Sequence, residues 1–67
     1  MTSYDKIKIL KDMNKTVHIS CDGRFYNGII LEINKQKEFL VLDDLKIGET
    51  PIMFEEILRI EPMEVKE

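Results

Sequence analysis

Long hydrophobic runs are missing from these 67 residues. The longest are Ile29-Ile30-Leu31 and Phe39-Leu40-Val41-Leu42. A helix needs roughly 20 apolar residues to cross a bilayer, so the pattern excludes a membrane span. Lys6, Lys8, Lys11 and Lys15 stud the opening stretch and argue against a secretory signal peptide. Cysteine occurs once, as Cys21, so no disulfide can form within the chain, and a cytoplasmic location is expected. One histidine and one cysteine are too few soft ligands for a zinc site within one subunit, and no metal or other cofactor is expected. Glycine-rich phosphate loops are also absent. With neither disulfide nor metal to brace so small a core, association between copies is the remaining common remedy.

Charge of one sign is not in excess either. The chain is 43% hydrophobic and 34% charged, an ordinary globular composition, with a net charge of −3. That charge is unevenly spread: residues 1–24 carry +2, residues 25–47 carry −1 and residues 48–67 carry −4. A nucleic-acid binder relying on bulk charge would be basic throughout, so any such role here is local.

The order of elements follows from periodicity. Thr2 and Ser3 are candidate N-caps for a helix over about residues 3–14, with Asp5 in its first turn. Ile7, Ile9, Leu10 and Met13 share a broad apolar arc at helical spacing, while Tyr4, Lys8, Lys11 and Lys15 line another face. From Val17 the period becomes two: Val17, Ile19 and Cys21 alternate with His18 and Ser20. Asp22-Gly23 predicts a tight hairpin turn. Arg24 to Asn34 is the next strand, with Phe25, Ile29, Leu31 and Ile33 on one face and Tyr26 and Ile30 on the other. Gly28 in its middle predicts a sharp bend or a close backbone approach. A polar turn from Asn34 to Lys37 leads to a strand at Phe39–Leu42. Pro51 marks Pro51–Phe54 as an edge strand, and Ile57–Ile60 is a short last strand stopped by Pro62. The expected fold is mainly β: one helix, then five antiparallel strands strongly bent into a small barrel over about residues 16–61. Residues 1–62 form one domain, and 63–67 form an acidic tail.

The run Asp22-Gly23-Arg24-Phe25-Tyr26-Asn27-Gly28-Ile29-Ile30 resembles the first signature of the Sm-like family, Asp-Gly-Arg-x-Tyr-x-Gly-x-aliphatic. Leu40-Val41-Leu42-Asp43-Asp44 resembles the family's third strand and the acidic turn after it. Ile57-Leu58-Arg59-Ile60-Glu61-Pro62 resembles the end of its second signature. The likeness covers roughly residues 4–62. It implies a bent SH3-like barrel, rings formed through edge strands, and RNA as ligand. Two departures stand out. No Asn precedes Leu40 where the family's RNA binders read uracil, and Met53 and Phe54 stand where an Arg-Gly pair would complete the base pocket. The usual uridine pocket is therefore not expected.

The candidate sites follow from that balance. Lysines on one helical face are usually only solvated, yet a ring would repeat Lys8, Lys11 and Lys15 around one rim and concentrate a positive field. Arg24, Lys35 and Lys37 are further phosphate-contacting candidates. Asp22, Gly23 and Gly28 are read as turn and bend residues. Ile52, Met53, Phe54, Ile57, Leu58 and Ile60 are read as the edges through which copies would join, and a homo-oligomeric ring is favoured. His18 has no second histidine or suitable carboxylate pair, and Cys21 lacks a convincing base, so no catalytic site is expected. Tyr26, Phe39 and Phe54 read as core. Two functions stay open: weak, sequence-tolerant RNA association, or a protein-interaction module on the same barrel.

Overall fold

A computed structural model describes residues 4–63. Helix α1 spans Tyr4–Asp12, and five strands follow: β1 Val17–Cys21, β2 Arg24–Asn34, β3 Phe39–Asp44, β4 Gly48–Met53 and β5 Ile57–Pro62. A 3₁₀ turn at Phe54–Glu56 joins β4 to β5. Thr2 and Ser3, read as N-caps, and residues 64–67 of the acidic tail lie outside the described residues.

Only a narrow stripe of α1 faces the sheet. Ile7 and Leu10 are buried and Tyr4 packs against the core beside them, whereas Ile9 is 61% and Met13 43% exposed. The broad apolar arc is thus corrected to a Tyr4-Ile7-Leu10 stripe, because three-residue spacing keeps one side of the helix on the sheet. The Met13 N–H reaches Ile9 O and the Asn14 N–H reaches Lys11 O, both at 3.0 Å. Asn14 then adopts φ 53°, the left-handed conformation that commonly closes a helix. Lys15 lies beyond that closure.

The strands form one antiparallel sheet in the order β4-β3-β2-β1-β5. Among the described residues no ladder joins β4 to β5, so the sheet is not closed and the expected barrel is corrected to an open sheet. Pro51 lies within β4 opposite Val41, which an edge strand accommodates because its other side needs no N–H donor. Asp22-Gly23 makes the tight turn of the β1–β2 hairpin, with Cys21 opposite Arg24 and Gly23 at φ 74°.

Strand β2 serves two ladders that share one residue. Residues 24–28 pair with β1 and residues 28–34 with β3, so Gly28 faces Val17 on one side and Asp44 on the other. A Cβ at Gly28 would overlap the Asp43 carbonyl oxygen and lie 2.7 Å from its carbon. Glycine is needed here for close approach.

A bulge between Ile30 and Glu32 then shifts the register, so Ile30 opposes Leu42 and Ile33 opposes Leu40. Simple alternation had put Ile33 on the face of Phe25; the extra residue turns it to the core side with Ile30. A second irregularity, between Ser20 and Cys21, pairs these residues with Arg59 and Ile57 and skips Leu58. Ile57 and Ile60, three apart, both point inward as a result.

The core draws Ile7 and Leu10 from the helix and side chains such as Val17, Ile19, Ile30, Leu40, Leu42, Ile52, Ile57 and Ile60 from all five strands. Each such burial contributes about 1.5–3 kcal/mol. One carboxylate, Asp44, is buried with them. Its Oδ1 accepts from the Lys46 and Ile47 N–H groups at 2.9 and 3.1 Å, and its Oδ2 accepts from the Asn27 N–H at 3.1 Å. The Lys46 N–H, followed by those of Asn27 and Ile47, holds the carboxyl below its usual range despite the opposing effect of burial. Asp44 thereby ties the β3–β4 turn to the middle of β2.

Candidate nucleic-acid interface

Three segments converge at one end of the molecule: the start of α1, the β2–β3 turn and the 3₁₀ turn. The Phe54 N–H donates to Glu38 O at 2.9 Å, binding the last two together. The Tyr4 ring packs on Phe54 with centroids 6.5 Å apart, and the Lys35 ammonium lies 4.8 Å above the Tyr4 ring. A cation over an aromatic face is attracted by the ring quadrupole, here at an exposed site worth about 0.5–1 kcal/mol. The turn is shaped by Asn34, whose Oδ1 accepts the Lys37 N–H at 2.8 Å, and by Glu38 at φ 58°.

Lys35 and Lys37 belong to this turn; along α1, Lys8 follows Tyr4 by one helical turn and Lys11 stands in the last turn, away from the end that meets Lys35. Lys8, Lys35 and Lys37 are exposed and Lys11 is half-buried. Lys8 is paired with Asp12 at 3.2 Å, an exposed i,i+4 contact of small energetic weight, which lowers its net field without removing its donors. Lys15, past the end of α1, is not part of the helical face. Arg24 is not brought to this end either; it sits at the opposite end of β2, where a hydrogen bond with the Tyr26 side chain and that side chain's charge raise its pKa further. Phe54, which stands where the resemblance would place a glycine, is only 6% exposed and packs in the core.

The edge-strand residues divide in the same way. Ile52, Ile57 and Ile60 point into the core, Phe54 belongs to the 3₁₀ turn, and Met53 and Leu58 are exposed. Of the residues read as edges, only Met53 and Leu58 are therefore free to meet another copy, beside the exposed Glu49, Pro51, Arg59 and Glu61 of the same strands.

A second group was not singled out from the sequence. On the outer face of the β1–β2 hairpin, Phe25 stacks on His18 with centroids 5.7 Å apart and planes 19° from parallel. His18 Nδ1 lies 2.6 Å from Asn27 Oδ1, and Ser20 Oγ lies 3.4 Å from His18 Nε2. The tautomer protonated on Nδ1 satisfies both contacts, donating to Asn27 and accepting from Ser20. The signal was available: a two-residue Asp22-Gly23 turn forces Ser20 opposite Phe25 and His18 opposite Asn27.

Cys21 is buried, and burial, followed by the charge of Glu56, pushes its thiol pKa up. Among the described residues no group of three His, Cys, Asp or Glu side chains is arranged to hold a metal ion, and no helix is long and apolar enough to cross a membrane. Compared with known protein families, curated proteins and solved structures, the chain matches none. The functional reading therefore rests on its own residues and on the signature they resemble.

Proposed function

We propose that the chain is an Sm-like, RNA-associated protein that holds single-stranded RNA by its phosphates with little base preference. The observation that carries this reading is the Lys35 ammonium seated over Tyr4, which sets the β2–β3 turn and its lysines against the start of the lysine-bearing helix α1. Phosphate contacts give affinity without reading sequence, which suits a chain that carries Met53 and Phe54 where the resemblance would place an Arg-Gly pair. Copies assemble through the open edges β4 and β5, a homo-oligomeric ring being the arrangement that closes head-to-tail contacts. Repetition of the lysine end around such a ring supplies the field that one subunit of net charge −3 lacks. Titrating oligo-U and oligo-A of equal length at two salt concentrations tests the reading. Both should bind with similar affinity and weaken together as salt rises. A strong oligo-U preference would contradict this reading.

One observation favours the alternative, a protein-interaction module on the same scaffold. A groove of about 400 Å³ between the β1–β2 turn and the 3₁₀ turn is lined by Asp22, Glu55 and Glu56 against one cation, Arg24, and by Leu58, which is 68% exposed. An exposed apolar side chain among carboxylates suits a basic protein segment and repels RNA. Failure of both oligonucleotides to bind at low salt would move the assignment to this reading.

A further inference from the structure

We infer that the outer face of β1 and β2 is a second nucleic-acid site, a platform on which one unpaired base of a single strand stacks against Phe25. The inference rests on the RNA reading above but uses none of its lysines.

An aromatic ring at the surface is ordinarily wasted apolar area, and Phe25 is 69% exposed. Its orientation is nevertheless set. One face of the ring lies nearly parallel to His18, which is in turn pinned by Asn27 and Ser20. A ring fixed in this way accepts a base without first losing rotamer freedom, and base–aromatic stacking tolerates any sequence because every base has a π-face. Polar groups that can meet a base edge stand beside it. Ser20 is the register partner of Phe25 and Asn27 that of His18, so all four side chains share one face of the hairpin.

Charge around the ring fixes the occupant. Arg59 of β5 is the register partner of Ser20 and extends the row Phe25-Ser20-Arg59 across three strands. On the other side Phe25 lines a groove of about 380 Å³ with Arg24, Lys46 and the exposed Leu45 and Ile47. The carboxylate in that groove, Asp44, has both oxygens engaged by backbone N–H groups. Arg24 is engaged by the Tyr26 side chain and the charge of Glu56, which leaves Arg59 on one side of the ring and Lys46 on the other. Glu61, the register partner of His18, and Asp43, that of Ile29, mark where a phosphate would be repelled. A flat ring between guanidinium and ammonium groups complements a base with its flanking phosphates better than it complements an apolar peptide.

The test uses the full chain and a short oligo-U carrying one fluorescent aminopurine, whose emission falls when it stacks. Binding to the unaltered protein should quench the probe. Phe25→Leu should abolish most of the quenching and weaken binding about tenfold, in line with the loss of one base–aromatic stack. Phe25→Tyr, which keeps a flat ring, should restore both, and this rescue separates stacking from loss of fold. Arg59→Gln should weaken binding while leaving the quenching at saturation. If the oligonucleotide binds and Phe25→Leu changes neither affinity nor emission, the platform is refuted and the lysine site stands. If no oligonucleotide binds at low salt, both readings fall.

Discussion

Replacing Gly28 by alanine is the sharpest perturbation of this fold. The two ladders of β2 meet at this one residue, and a methyl group there would lie 2.7 Å from the Asp43 carbonyl carbon and 3.0 Å from Asp44 Cα while overlapping the Asp43 oxygen. All three are backbone atoms, so no side chain can swing aside. Relief requires β2 and β3 to part at the junction, where the neighbouring Asn27 N–H also holds Asp44. Overpacking costs about 1–3 kcal/mol where side chains can shift, and a backbone clash belongs at the upper end, about 3 kcal/mol. A domain of this size has a stability of about 3–10 kcal/mol, so the variant should lose a third or more of it. Urea unfolding followed by circular dichroism measures the difference directly. Gly23→Ala is the internal control. Gly23 has φ 74° but nothing within 4 Å of an added Cβ, so only conformational strain of about 1 kcal/mol is expected. A Gly28→Ala penalty no larger than that of Gly23→Ala would refute the close-approach argument.

Three further outcomes are expected. Asp44 has its pKa lowered in the folded state, so its contribution to stability is present above the unfolded value of about 3.9 and is lost as pH falls through the folded value. Urea midpoints of Asp44→Asn should accordingly lie below those of the parent at neutral pH, with the gap narrowing in acid; a constant gap would contradict the role of the charge. The buried Cys21 thiol, with its raised pKa, should react with an aromatic disulfide reagent far more slowly in the folded protein than in urea, and equal rates would place the thiol at the surface. Met53→Lys and Leu58→Lys change exposed side chains flanking the two open edges, and each should shift the species seen by light scattering toward the monomer without loss of fold. A stable monomer of the parent chain at micromolar concentration would defeat the assembly.

The elements were legible in the sequence because each had a local cause. The change of period after Asn14 separated helix from strand, and Asp22-Gly23 specified a hairpin whose register follows from its length. Gly28 announced a close approach that the Asp43 backbone explains. What alternation could not show were the bulges. One extra residue at Leu31 reverses the faces of β2, and another at Leu58 puts Ile57 and Ile60 on the same side, because bulges answer to the curvature of the whole sheet. The lysine end was only half legible. Spacing on α1 grouped Lys8 and Lys11 and wrongly extended the face to Lys15, while the approach of Lys35 to the start of the helix depends on tertiary packing of Tyr4 on Phe54. The Phe25–His18 stack was missed although the hairpin register alone pairs its supports, since each residue taken singly looked solvated or structural.

The central claim is that lysines of α1 and the β2–β3 turn hold RNA by its phosphates, and the salt dependence of binding tests it most directly. Each phosphate neutralised on a single strand contributes a slope of roughly −0.7 to the logarithm of affinity against the logarithm of salt. Replacing Lys8, Lys11, Lys35 and Lys37 together by glutamine should flatten the slope measured for the parent by about two to three and weaken oligo-U and oligo-A equally. An unchanged slope in the fourfold variant, with the fold intact, would contradict the account.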